Sequence, residues 1–356
     1  MLMKSKSLRS AAVAMSVSEA TLSQQIRLLE EEFELTLFER QGRVLSPTAQ
    51  AEMLFGYVKQ VLADTDMLHD VVEDLRESRS APVRVATTHS GAMLLLPTAI
   101  KRLSEEFSGS RIQVEEGGTY RVVRKVICGD CDLGIAALSE DHVEELFGTE
   151  LKFGASSPNK RRCRVNTRRI ESLSRAIESG DISGMESNES EQLHFREEES
   201  NKRAYLATVV LETVLRGTVS VLLSPGNALA KPSAAVDAES LTGESLILVR
   251  PGYALNRIVD RQVISKVGRE AFRSIFLTEN NETSYKLVHE GVGVSFIVDF
   301  PMTRKVFGFR ESDLIVKPLA PLCGVSLALI TREDRYMPIP IQRLLDLIRE
   351  SVTGVR

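Results

Sequence analysis

Residues 18–33, Ser-Glu-Ala-Thr-Leu-Ser-Gln-Gln-Ile-Arg-Leu-Leu-Glu-Glu-Glu-Phe, constrain the fold more than any other stretch of the chain. Leu22, Ile26, Leu29 and Phe33 recur at steps of four, three and four, which sets them on one face of a helix and leaves Thr21, Ser23, Gln24 and Arg27 outside it. Ser18 suits the N-cap, where its hydroxyl can accept a backbone N–H that the first turn leaves unpaired. Upstream, Arg9 to Met15 predicts a short helix of small residues, and Ser16-Val17 leaves only a tight turn before the next. Two helices so joined make a helix-turn-helix, and Leu37-Phe38-Glu39-Arg40 with Gly42-Arg43 predicts a wing after it.

Charge adds a condition. Residues 1–46 balance six Lys/Arg against six Glu, and the whole chain carries a formal net charge of −4, so no global basic signature exists. A surface for double-stranded DNA must come from segregation: Glu30, Glu31, Glu32 and Glu34 crowd the far end of the helix, and Thr, Ser, Gln and Arg occupy its first turns. The candidate DNA contacts are Glu19, Thr21, Ser23, Gln24 and Arg27 on the helix, with Arg40 and Arg43 at the wing. Gln pairs with adenine, hydroxyls take a phosphate or a base edge, and wing arginines suit a phosphate or a narrow minor groove. The competing reading pairs Arg27 and Arg40 with Glu30 or Glu39 at helical distance.

Residues 47–77 carry Leu54, Val58, Val61, Leu62, Met67, Leu68, Val71, Val72 and Leu75 at helical spacing, which predicts one long amphipathic helix whose stripe a second copy would bury. From residue 82 the pattern alternates strand and helix: strands at 83–87, 111–115 and 132–137 with helices at 91–107 and 120–127 between them. A second set follows, with strands at 218–223, 245–249, 274–277 and 293–297 and helices at 255–267 and 282–289, before strands at 314–319 and 326–330 and a helix at 341–352. The order predicts parallel sheets wrapped by helices in an α/β effector domain.

Ala11-Ala12, the Ser18 cap, Leu22-Ser23-Gln24-Gln25-Ile26, Leu37 to Arg40, Gly42-Arg43 and Leu45-Ser46-Pro47-Thr48-Ala49 resemble, in order, the N-terminal domain of LysR-type transcriptional regulators. Further on, Ala86-Thr87-Thr88-His89-Ser90 with Leu96-Pro97, Gly117-Gly118-Thr119, Gly129-x-x-Asp132-x-x-Ile135-Ala136, Leu223 to Leu229 and Gly291-Val-Gly293 are most similar to the branch that regulates cysteine biosynthesis and sulfur assimilation. The resemblance implies an α plus α/β chain: a winged helix-turn-helix head at 1–46, a linker and dimerisation helix at 47–77, and a two-lobed periplasmic-binding-protein-like effector domain. Lobe I takes 82–150 and 300–356, and lobe II takes 209–299. It also implies a homodimer or homotetramer on a dyad-symmetric DNA site, governed by a small effector. The pattern departs from the family in lacking the helix that precedes the one near Ser7, in Glu19-Ala20 where Gln-Pro is frequent, and in Glu34 where Gly is frequent. A small-molecule-binding remnant with a non-functional head is therefore the alternative.

Residues 151–208 stand apart. Lys160 to Arg169 holds six positive charges in ten residues, and residues 181–199 hold seven acids against Arg196, which predicts a solvated, mobile insertion. The effector candidates are Thr88, His89, Ser90 and Gly91 at the opening of one helix, Thr119 and Tyr120 at a second, Arg250, Gly252 and Tyr253 before a third, and Asn281 before a fourth. Hydroxyls and free amides at helix N-termini suit an anion, a carboxylate or an amino-acid derivative. Plain N-capping competes for Thr88, Ser90 and Asn281. Cys128-Gly-Asp-Cys131 raises thiol chemistry, which would require a depressed thiol pKa. No catalytic constellation, cofactor motif or metal-ligand spacing is present, and Gly291-x-Gly293 reads as a helix stop. With 43% hydrophobic residues, no apolar stretch behind Met1 and no run of membrane-spanning length, the chain reads as a cytoplasmic protein without a membrane partner.

Overall fold

A computed structural model of the chain describes residues 7–41, 44–75, 82–109, 111–147, 160–166, 170, 206–231, 235–308 and 313–353. The chain divides into two compact units, Met1–Leu68 and His69–Arg356.

In the first unit, α1 (Leu8–Ala14) and α2 (Glu19–Phe33) are joined by a turn in which Ser16 adopts φ 55°. The Ser18 hydroxyl accepts the Thr21 N–H at 3.0 Å, the cap read from sequence. Ala11, Ala12 and Leu22 are buried, with Leu8, Val17 and Ile26 around them; the two alanines let the helices approach closely. The buried face stops there. Leu29 and Phe33, expected on it, are 41% and 45% exposed, because α1 covers only the first turns of α2. The helix ends on Glu34 in the left-handed region (φ 52°), with the Leu35 N–H donating to the Glu30 carbonyl at 3.1 Å, so the glycine expected there is replaced at some conformational cost. Strands β1 (Phe38–Gln41) and β2 (Val44–Pro47) pair antiparallel as the wing. The long α3 (Ala49–Leu75) follows, its Val58, Val61, Leu62 and Leu68 exposed in the single chain.

The second unit runs β3 (Val83–Thr87), α4 (His89–Glu106), β4 (Ile112–Glu116), α5 (Thr119–Cys128), β5 (Leu133–Leu138), α6 (Glu140–Phe147), β6 (Lys160–Asn166) and β7 (Leu206–Leu223). It continues through β8 (Ser245–Val249), α7 (Ala254–Val259, extended by a π turn to Ile264 and by Ser265–Val267), β9 (Ser274–Thr278), α8 (Asn281–His289), β10 (Val294–Asp299), α9 (Thr303–Val306), β11 (Ile315–Pro318), β12 (Gly324–Arg332) and α10 (Ile339–Thr353).

The ten strands form one mixed sheet, ordered β4-β3-β5-β12-β7-β10-β8-β9, with β6 and β11 also on β7. Only the two ends are parallel, β3 with β4 and β5, and β8 with β9 and β10. The centre is antiparallel, which corrects the all-parallel expectation. The 18-residue β7 belongs to both halves: Val209–Thr218 pairs β12 and Leu206–Glu212 pairs β6, whereas Thr218–Leu222 pairs β10 and Ser220–Leu223 pairs β11. β11 therefore sits with the second half, although it follows residue 300. Strand β6 is likewise not the mobile segment expected of the basic run. Cys163 and Val165 alternate into the core beside Ala207, Val209 and Leu211, and Lys160 and Arg162 take the other face, Arg162 pairing with Glu333 at 2.6 Å. The acidic run 181–199 lies outside the described residues.

Structural charges pin the first half together. Asp132, from the Gly-x-x-Asp motif, binds Arg84 in bidentate fashion (2.9 and 3.1 Å), and the buried Arg332 donates to the Ile127 carbonyl at 2.8 Å, capping α5. Helix α10 returns to α4 through Arg343–Glu106 (2.6 Å) and Glu350–Arg102 (2.7 Å).

Candidate functional site: an interlobe cleft and a helix-turn-helix surface

In each half, helices start at the carboxyl ends of parallel strands, where open α/β sheets bind ligands. Four such starts converge between the halves: α4 and α5 from the first, α7 and α8 from the second. Contacts establish the convergence. The Thr119 hydroxyl donates to the Ala137 carbonyl (3.1 Å) and accepts the Ala254 N–H (3.3 Å); a Cβ on Gly118 would lie 2.2 Å from the Gly252 carbonyl oxygen. His89 lies with Nδ1 3.1 Å from Glu116 Oε2 and Nε2 3.0 Å from Glu282 Oε1. Across α6 and α7, Glu145 meets Arg257 (3.1 Å) and Asp141 meets Arg261 (2.9 Å).

The ten effector candidates fare differently. Thr88 stands at the N-cap of α4 without a side-chain cap bond, and Ser90 makes no hydrogen bond among the described residues, so the first amides of α4 remain uncapped. Gly91 serves packing: a Cβ there would lie 2.4 Å from Thr87 Oγ1 and 2.6 Å from Ile135 Cγ2. Thr119 is committed as above. Tyr120 is buried and gives its hydroxyl to Glu145 at 2.7 Å; burial and the Glu145 charge push its phenol well above the usual range. Arg250 is exposed and pairs with Glu279 at 2.5 Å. Tyr253 is half-buried beside Gly252, its phenol also pushed up by burial and by Glu116. The cap of α8 is Asn280, which accepts the Thr283 N–H at 2.9 Å; Asn281 is the first residue of the helix.

On the head, Glu19, Thr21, Ser23, Gln24 and Arg27 are all exposed. Arg27 has no ion pair among the described residues, and Glu30 is engaged elsewhere: its carboxylate accepts the Leu37 N–H at 2.7 Å and the Phe38 N–H at 3.0 Å. The Arg27–Glu30 pairing is thereby overturned. The Arg40 side chain and Arg43 lie outside the described residues. The CxxC reading is overturned as well. Cys131 is buried and its thiol is pushed up to about 12, first by burial and then by Asp132, the opposite of an activated thiol.

Residues 76–152 and 204–353 match the LysR substrate binding domain, and residues 1–52 match the bacterial regulatory helix-turn-helix protein of the lysR family. The chain belongs to the LysR family. It is 28% identical over 126 residues to the HTH-type transcriptional regulator CysB of Haemophilus influenzae, a stretch that is 35% of this chain and spans only 39% of that relative's length. Similarity to a probable nitrogen assimilation transcriptional activator of Synechococcus elongatus is weaker but longer: 21% identity over 350 residues, 98% of this chain and 91% of the relative. Full-length OxyR from Pseudomonas aeruginosa, in a cysteine-to-aspartate variant, has the same fold, with TM-score 0.51 at 19% identity over 99% of this chain and 94% of that one.

Residues 153–203 lie between the two matched stretches, and among the described residues β6 is the part of that interval that joins the sheet. The match over residues 1–52 does not favour a non-functional remnant of the head. Among the described residues no helix is long and apolar enough to cross a membrane. Sequence reasoning missed two site residues, Glu30, which sets the wing, and Glu116, which flanks His89, and it placed Glu282 in the Asn280-Asn281-Glu282 loop of the cleft without its contact to His89. Glu30 and Glu116 carried only the generic signal of a surface glutamate. It also missed His142, buried under Tyr120, whose Nδ1 pairs with the Ser139 hydroxyl at 2.5 Å.

Proposed function

We propose that this protein is a ligand-responsive transcriptional regulator. Its helix-turn-helix reads a dyad-symmetric DNA site through Glu19, Thr21, Ser23, Gln24, Arg27, Arg40 and Arg43, and a small molecule bound between the two α/β halves changes how paired heads sit on that site. The observation that carries this reading is the conjunction, in one chain, of an exposed polar face on α2 with four helix N-termini meeting at the strand carboxyl ends. The exposed stripe on α3 supports a homodimer or a homotetramer built from one.

The uncapped start of α4, with Thr88, His89, Ser90 and Gly91, supports an effector bearing an anionic group, with Tyr253 and Asn281 lining the opposite half. The similarity to CysB supports the sulfur-metabolism branch, with a sulfur-linked anion or amino-acid derivative as effector, and a cytoplasmic site of action follows from DNA binding. The test is fluorescence anisotropy on operator DNA against salt. Arg27→Ala together with Arg43→Ala should lower affinity across sequences and flatten the salt dependence by about one unit of slope per lost phosphate contact. Binding unchanged in both respects would overturn the assigned surface.

A further inference from the structure

We propose that His89 is a proton-gated clasp between the two halves of the effector domain, its charged ring joining Glu116 of the first half to Glu282 of the second. His89 opens α4, and Glu116 closes β4 in the same half, so the Nδ1 contact at 3.1 Å fixes the ring within its own half. Glu282 lies in the first turn of α8, so the Nε2 contact at 3.0 Å crosses the cleft. The ring is only 13% exposed and stacks on Phe307 (5.7 Å, 29°), which Tyr285 meets edge-on.

A neutral imidazole has one N–H to offer. Given to Glu116, it leaves a bare Nε2 lone pair against the Glu282 carboxylate; given to Glu282, it leaves the same conflict at Glu116. Only the imidazolium attracts both. The Nε2 contact has the distance but not the direction of a hydrogen bond, so the cross-half attraction is chiefly charge on charge in a partly desolvated gap.

The other groups around the ring leave this balance intact. Helix α4 contributes no acid in its first turn, and its own N-terminus opposes the ring's charge. The end of α9 contributes Phe307, and behind it α8 contributes Tyr285, its phenol pushed up by burial. Beyond Glu116 stand Tyr253 and Arg250, the latter tied to Glu279, and Arg121, 3.8 Å from Glu115; Arg304 is held by Asp299 at 2.8 Å. Two carboxylates lie within about 3 Å of the ring nitrogens, one from each half. Among the described residues the halves are also tied by Arg257–Glu145 and Arg261–Asp141, neither of which involves an imidazole. The histidine contact differs in kind, because imidazole carries a second N–H only when it holds a second proton.

The clasp rests on the two-half effector reading, but its test needs no effector. Nitroxide-bearing unnatural residues at Glu105 on α4 and Lys286 on α8, both exposed, report the distance between the halves in the full chain by double electron–electron resonance. The distribution should lengthen from pH 6 to pH 8.5 in the parent. In Glu282→Gln and in His89→Gln it should hold its long value at both pH values, with unchanged far-UV circular dichroism showing that both fold. A parent distribution indifferent to pH, or a shift that survives in His89→Gln, overturns the clasp. Loss of operator binding would instead overturn the regulatory reading and leave the clasp standing.

Discussion

His142 offers the sharpest quantitative test of the fold. It is fully buried on α6, its Nδ1 is paired with the Ser139 hydroxyl, and among the described residues its Nε2 has no hydrogen-bond partner. Burial first, and the Arg257 charge second, push the imidazole down to about 3, so it is neutral in the folded protein at any physiological pH. An unfolded chain protonates the same side chain near 6.5. Between those values the unfolded state binds the extra proton, so stability falls as pH falls; above 6.5 neither state is charged and the penalty vanishes. The slope is about 1.4 kcal/mol per pH unit, which makes the loss between pH 7.5 and pH 5 about 2 kcal/mol.

The partner variant is His142→Gln, of similar size and able to accept from Ser139, whose own cost does not depend on pH. The chain contains no Trp, so urea unfolding of the parent and the variant is followed by far-UV circular dichroism at fixed protein concentration. The difference between the two curves removes every other titrating group. It should stay constant above pH 7 and then narrow by about 2 kcal/mol down to pH 5. A difference that stays flat over that range would mean that water reaches the ring and that the burial argument is wrong.

Three further substitutions have defined outcomes. Ser18→Ala removes the acceptor for the Thr21 N–H and should destabilise the head by about 1 kcal/mol, read as a lower melting temperature of the first unit. Glu30→Gln weakens two charge-assisted bonds to the Leu37 and Phe38 amides and should cost about 1–3 kcal/mol; it should also weaken DNA binding by misplacing the wing, whereas a wild-type melting temperature would show those bonds to be dispensable. Gly118→Ala sets a Cβ 2.2 Å from the Gly252 carbonyl oxygen and should spread the halves at a cost of about 1–3 kcal/mol; an unaltered distance between labels on α4 and α8 would refute the contact.

The elements whose sequence carried a period or a punctuation mark were legible. The Ser18 cap, the strand at Ser245–Val249 and the helices after Thr88 and Gly118 fall within a residue or two of their expected limits. What sequence concealed was identity of partner. Glu30 looked like one member of an acidic cluster, and nothing along the chain says that its carboxylate meets amides seven and eight residues on. His89 was legible as a residue of the cleft, but not as one held between carboxylates from β4 and α8, because both arrive through tertiary folding. Strand β6 was hidden for another reason: its two core positions, Cys163 and Val165, are outnumbered by four basic residues, of which Lys160 and Arg162 are exposed on the outer face, where long charged stems sit without penalty. The first half of β7 was lost in the same way, its pattern merging with the polar run before it.

The shared strand locates where the halves can move. β12 pairs β7 over Val209–Thr218, but on the other side β6 ends opposite Glu212 and the β10 pairing begins opposite Thr218, so among the described residues Thr213–Gly217 has a neighbouring strand on one side only. The β12 register also slips there: Leu327 faces Leu215 and Ala328 faces Thr213, leaving Val214 as a bulged extra residue. A bulge with one flank unpaired is less restrained than Val209–Glu212 and Ser220–Leu222, which have strands on both sides, and it falls between the partners of the first half and those of the second. Amide hydrogen exchange should therefore be faster over residues 213–217 than over 209–212 or 220–222. Equal protection along all of β7 would place the pivot elsewhere and would require the cleft to open by sliding rather than by bending about Val214.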